Sequence, residues 1–203
     1  KTELEQNLSF SLSNYALVTF HPVTLENDTA INQVKEMLEA FLEFKDLNFI
    51  ITKANADAGG NLINNIIDDY VSKYPNKFYT EFSLGMTRYL TAMKFSKMVI
   101  GNSSSGILEA PSFRVPTINI GDRQKGRIQC KSIINCIPEK EEIIKAMNKG
   151  LSQSFRNELV DLKSPYGNGT TSQQIIEIIK KHLNDGINLK KSFYDINFTI
   201  KEE

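Results

Sequence analysis

Met98-Val99-Ile100-Gly101-Asn102-Ser103-Ser104-Ser105-Gly106-Ile107-Leu108-Glu109-Ala110-Pro111 joins a short apolar run to a polar, glycine-flanked turn and the start of a helix. Residues 98–101 are too few for a helix and are bounded by glycine, so they read as a buried strand. Residues 105–110 read as a short helix that stops or bends near Pro111, because proline removes a helix hydrogen bond and clashes with the preceding turn.

The same alternation extends in both directions. Upstream, residues 15–20 and 48–52 are strand-like, and 77–82 is a short strand. Between them, Ile31, Val34, Leu38, Phe41 and Leu42 share one helical face within 29–44. Leu62, Ile63, Ile66, Ile67 and Tyr70 do so within 61–73, and a further helix is expected at 86–95. Downstream, 116–120 is a strand, a brief one is expected at 132–134, and helices are expected at 139–150 and 171–184. Strands alternating with helices imply βαβ units and a parallel sheet. Right-handed crossovers then place helices on both faces. The expected fold is therefore α/β, a three-layer Rossmann-like parallel sheet. Residues 1–14 read as a linker or hinge segment and 15–185 as the Rossmann-like domain. Residues 186–203 read as a tail, with Phe193, Tyr194, Ile196 and Phe198 as apolar anchors for a docking partner.

Bulk properties exclude several functions. The chain has 203 residues, which suits one ordinary α/β domain or two small ones. Lys+Arg and Asp+Glu are both 24, so overall charge gives no support for nucleic-acid or membrane-surface binding. No apolar run is long enough to span a bilayer, and the charged, polar start lacks a secretory core, so a cytoplasmic location is expected. The absence of an initiator methionine suggests a fragment. Cys130 and Cys136 fit no zinc or redox spacing, and no metal site is expected.

Open parallel sheets bind ligands at the carboxyl ends of their strands. Ser103 and Ser104 follow one such strand. There, small hydroxyl side chains and free N–H groups at a helix start suit a phosphate or diphosphate; the structural alternative is an ordinary serine-capped turn. Glu109, four residues beyond Ser105 on the same helical face, offers a carboxylate to two ribose hydroxyls, or is an exposed helix residue. His21 ends the first strand, and Pro22 holds its backbone extended, so the imidazole is well aimed to donate to phosphate. Its alternative is a structural histidine. Gly121–Arg127, with Arg123, Lys125 and Arg127, reads as a mobile basic loop able to close over phosphate, or as a solvated charged loop. Asn55, in the turn after the second strand, is a helix-capping position with a polar ligand contact as its sharper reading. No Gly-x4-Gly-Lys-Ser/Thr, early Gly-x-Gly-x-x-Gly or Gly-x-Ser-x-Gly occurs, so these serines read as binders, not nucleophiles.

Four stretches together resemble a known family. "TFHPVT" (19–24), "ANADAGG" (54–60), "IGNSSSGILEAPSF" (100–113) and "INIGDRQKGR" (118–127) are similar in order and spacing to the hydrolysing UDP-N-acetylglucosamine 2-epimerases of sialic- and legionaminic-acid synthesis. The resemblance covers roughly 15–185 and only the C-terminal domain of a two-domain GT-B arrangement. It implies elimination of UDP to a glycal and addition of water, with no cofactor. It also implies UDP-sugar contacts from His21, Asn55, Ser83, Ser103, Ser104, Glu109 and Arg123, with Ser83 holding uracil and His21 and Arg123 serving the departing diphosphate. The acidic residues credited with proton transfer belong to the other half of the family's chain. This chain alone is thus expected to bind UDP without turnover, and the full-length protein to form a homo-oligomer. A GT-B glycosyltransferase domain, or an epimerase of a 2,4-diacetamido sugar nucleotide, is the alternative.

Overall fold

The computed structural model describes residues 5–6, 8, 10, 12–23, 29–55, 59–186, 189–190 and 193–196. The chain falls into two compact units, Lys1–Tyr166 and Gly167–Glu203. The first is built on six strands: β1 (Tyr15–Thr19), β2 (Asn48–Thr52), β3 (Phe78–Glu81), β4 (Val99–Gly101), β5 (Thr117–Ile120) and β6 (Ile133–Cys136). All pair in parallel, in the order β3-β2-β1-β4-β5-β6. The chain walks outward from β1 to β3, then returns to the other side of β1 with β4. Its direction reverses there, so β1 and β4 flank the topological switch point, where open sheets leave a crevice.

Side-chain alternation along the strands explains why both faces are covered. Ala16 and Val18 of β1 join Phe49 and Ile51 of β2 in one buried cluster, against Val34, Leu38 and Phe41 of α1 (Ala30–Leu42) and Ile63 and Ile67 of α2 (Gly60–Lys73). The same cluster takes Ile143 and Met147 of α5 (Lys140–Leu151). Tyr15, Leu17 and Ile50 point the other way, against Ala92 and Met93 of α3 (Gly85–Phe95), Ala110 and Val115. Leu8 and Leu12 are buried in that second cluster, so the described part of the leading segment packs into the core.

After β4 come the four-residue α4 (Ser105–Leu108) and a 3-10 turn, Ala110–Phe113, with Pro111 at its first turn, as the proline predicts. Two differences from the sequence expectations are local. The sixth strand runs to Cys136, two residues beyond the expected end. A short α6 (Gln153–Asn157) also forms where none was expected, its start capped by Ser152 Oγ accepting from Phe155 N at 3.3 Å.

The second unit contains α7 (Thr171–Asp185), amphipathic but with none of its residues buried. Phe193, Tyr194 and Ile196 are exposed, and Phe198 lies outside the described residues. No helix among the described residues is long and apolar enough to cross a membrane.

Candidate functional site at the sheet switch point

Thr19 O of β1 lies where a side chain on residue 101 would project. A Cβ there would sit 2.0 Å from that oxygen, and the residue's φ is +127°, so only glycine closes this strand end. Beyond Gly101 the two strands can no longer pair by backbone alone. Asn102 takes over: its Oδ1 accepts from His21 N (2.7 Å) and its Nδ2 donates to His21 O (2.8 Å). A similar close approach sets the turn after β2, where Gly60 opens α2 against Asn55 O, 2.1 Å from where a Cβ would be.

These strand ends surround a cavity of about 460 Å³. Thr19 and His21 enter from β1; Thr52, Lys53 and Asn55 from β2. Phe82 and Ser83 line it from the β3–α3 connection, Met86 from α3, Ser103 and Ser104 from the turn after β4, Ser105 from the start of α4, and Arg123 from the loop after β5. Six of the seven residues predicted from sequence therefore meet at one place: His21, Asn55, Ser83, Ser103, Ser104 and Arg123. Thr24 and Ala56–Ala58, in the quoted stretches, lie outside the described residues.

Glu109 is the seventh, and it does not line the cavity. Its N–H still donates to Ser105 O (3.0 Å), so the four-residue spacing holds. Its Oε2 is buried and accepts no hydrogen bond among the described residues. Desolvation pushes its pKa above the ordinary carboxylate range. A buried acceptor without a partner is unstable relative to one that has found donors.

One expectation needs correction. The helix after β4 has only four residues, so its macrodipole contributes little, and the side chain of the N-cap Ser104 makes no capping bond. Ser103 does that work instead: its Oγ accepts from Ser105 N (3.4 Å) and its carbonyl from Gly106 N (3.3 Å). The polar groups this turn presents are thus hydroxyls and local N–H groups. The three cations of the basic loop are divided between two cavities. Arg123 faces the cavity, with Nη1 donating to Asn102 O (3.0 Å), whereas Lys125 and Arg127 line a separate cavity.

The structure adds residues the sequence did not single out. Tyr89 OH shares a hydrogen bond with Ser105 Oγ (2.6 Å) and lies 3.4 Å from Thr19 Oγ1, while Ser105 Oγ donates to Ser103 Oγ (3.2 Å). Nothing in an isolated helical tyrosine would mark it. Lys53 follows a strand directly, a position that could have been flagged. Its Nζ pairs with Asp68 Oδ2 at 2.7 Å and lies 4.4 Å from the ring centre of Phe82, which is 72% exposed. Among the described residues, no three His, Cys, Asp or Glu side chains are grouped to hold a metal.

Sheet order, switch-point cavity and flanking helices define a Rossmann-like domain of the kind that makes up half of the GT-B arrangement. A family model described as UDP-N-acetylglucosamine 2-epimerase matches residues 1–180, and the chain belongs to that family. It is 40% identical over 197 residues to a GDP/UDP-N,N'-diacetylbacillosamine 2-epimerase (hydrolyzing) of Campylobacter jejuni, covering 97% of this chain and 51% of the relative. It is 36% identical to the polysialic acid biosynthesis protein P7 of Escherichia coli, covering 97% and 50%. Among solved structures, the UDP-GlcNAc 2-epimerase of Neisseria meningitidis bound to UDP-GlcNAc superposes with a TM-score of 0.65 at 18% identity, over 89% of this chain and 48% of that one. The chain spans about half the length of the curated relatives it matches.

Proposed function

We propose that this chain is the C-terminal, UDP-binding half of a hydrolysing nucleotide-sugar 2-epimerase acting on UDP-N-acetylglucosamine in a sialic-acid-type pathway, in the cytoplasm. The observation that carries the reading is the convergence of His21, Asn55, Ser83, Ser103, Ser104 and Arg123 on one cavity at the β1/β4 switch point.

In this reading the uracil lies towards Ser83 and the ribose towards Glu109. The diphosphate meets Ser103, Ser104, His21 and Arg123. Elimination takes the proton from sugar C2 and breaks the C1–O bond, leaving a glycal and UDP. Negative charge grows on the departing β-phosphate oxygen as that bond lengthens. The Arg123 guanidinium, held at a fixed point, and the serine hydroxyls oppose that charge without having to reorganise. Water then adds across the glycal double bond to give the 2-epimer. The proton-transferring carboxylates would come from the remainder of a full-length protein, so this chain alone binds UDP without turnover. The full-length protein would be a homo-oligomer.

A second substrate is favoured by a specific observation. The 40%-identical relative is named for a diacetylbacillosamine nucleotide, so a 2,4-diacetamido sugar is the alternative to N-acetylglucosamine. Calorimetric titration of the chain with UDP, GDP and NAD tests the site. Saturable heat with UDP and none with NAD is expected. The GDP arm reads base selectivity, since that relative's name carries both nucleotides. No heat with UDP from a folded sample would remove the cavity as a nucleotide site in this chain.

A further inference from the structure

We propose that Asn102 is a positioning residue that locks the diphosphate end of the cavity; the proposal rests on the UDP reading above. Asn102 is 1% exposed and so makes none of its bonds to solvent. Its side chain forms a two-point bond with the His21 backbone, 2.7 Å to the N–H and 2.8 Å to the carbonyl. Its own N–H donates to Thr19 O at 3.2 Å. Its carbonyl accepts twice, from Arg123 Nη1 (3.0 Å) and Gln124 Nε2 (2.8 Å).

Both lone pairs of that carbonyl are therefore used, as are both ends of the carboxamide. One residue ties the end of β1, the end of β4 and the loop after β5 to a common point. The β1–β4 backbone register stops at Thr19 and Gly101. The Asn102 amide imitates one further rung of the sheet, and only an amide at this reach has both the donor and the acceptor. Aspartate lacks the donor, and serine is too short for both bonds. Arg123 uses one of five N–H donors on Asn102, which leaves the rest of the fork for a phosphate while fixing its direction.

Asn102 thus acts through His21 and Arg123, and its removal is expected to damage phosphate recognition more than base or ribose recognition. The test is calorimetric titration of Asn102→Ser and Asn102→Asp with UDP and UMP, next to the parent chain. UDP affinity is expected to fall about tenfold or more and UMP affinity by less than about threefold. Equal losses for both nucleotides, or unchanged UDP affinity, would overturn the positioning role. Asn102→Asp is nearly isosteric and carries the comparison if Asn102→Ser does not fold. Hydrogen exchange at the His21 amide separates this idea from the UDP reading. It is expected to be protected in the parent and to exchange at least about tenfold faster in Asn102→Ser, where its acceptor is gone. Equal exchange overturns the clasp. A protected parent that fails to bind UDP overturns the reading of the cavity instead.

Discussion

The loop after β5 forms part of the wall of two cavities, and they are built differently. On one side is the switch-point cavity, where Arg123 is tied to Asn102 O and hydroxyls from three elements form a chain. On the other is a cavity of about 440 Å³ near the ends of β5 and β6, which Lys125 and Arg127 line with Asn119, Gln129 and Asn135. Its amides satisfy one another: Asn119 Nδ2 donates to Asn135 Oδ1 (2.7 Å) and Asn135 Nδ2 to Gln129 Oε1 (2.8 Å). In the first cavity Arg123 is held by Asn102 O, and Lys53 by Asp68; in the second the side-chain amides are paired with one another. A charge already held in place recognises a ligand at lower entropic cost than one that binding must first order.

The comparison breaks most completely at Gly101. In Gly101→Ala the new Cβ would fall 2.0 Å from Thr19 O at a φ of +127°, and backbone cannot yield as a flexible side chain would. A loss of at least about 3 kcal/mol, or failure to fold, is expected in urea denaturation, since strain and overlap act together. A stable Gly101→Ala would mean that β1 and β4 are not closed as described. Arg123→Ala is expected to come next, weakening UDP binding by about 1.5–3 kcal/mol with little change in the denaturation midpoint, as for lost hydrogen bonds to a charged group. Arg123→Lys should recover only part of this, because an ammonium lacks the planar fork. Full recovery would show that the site needs charge alone.

Much of the fold was legible because strands buried on both faces leave continuous apolar runs, as in Tyr15–Phe20, and βαβ connections impose the rest. The strand-end positions of His21, Asn55 and Ser103 were legible for the same reason: a strand's end is local, and parallel topology gathers the ends. Which side of a loop a residue faces is not local. Lys125 and Arg127 sit in the same charged stretch as Arg123, and only the turns that pair Lys125 N with Asp122 O and Arg127 N with Gln124 O separate them. Asn102 was inside the decisive motif, yet its role depends on His21, which is 81 residues away. Tyr89 carries no local mark at all.

Glu109 refines the contrast further. Its folded-state pKa is raised by burial, so the stability linked to it is present at low pH and lost as pH rises through that value. Burial disfavours its ionised form, which is a cost to the empty protein wherever that form is populated. Glu109→Gln is therefore expected to raise the denaturation midpoint at neutral pH while weakening UDP binding by about 1 kcal/mol, and Glu109→Ala to weaken it by about 1–3 kcal/mol. In the parent, UDP affinity should fall on acidification from a higher pH than an ordinary carboxylate would give, and this pH dependence should vanish in Glu109→Gln. Unchanged affinity in both variants would detach Glu109 from the ribose.

The smallest effect is the most discriminating between the two cavities. If UDP is bound at the switch point, Lys125 and Arg127 act on it only as distant charges screened by solvent. Lys125→Ala and Arg127→Ala should then change UDP affinity by no more than about 0.5 kcal/mol, and that remainder should shrink with added salt, as expected for exposed charges beyond contact. A loss as large as that of Arg123→Ala would instead place the phosphates against all three cations. The loop would then have to turn over on binding, exchanging the Arg123 bond to Asn102 for contacts its present turns do not allow. Measuring the two variants at two salt concentrations separates these outcomes, because a contact made in the complex survives screening far better than a field felt across a loop.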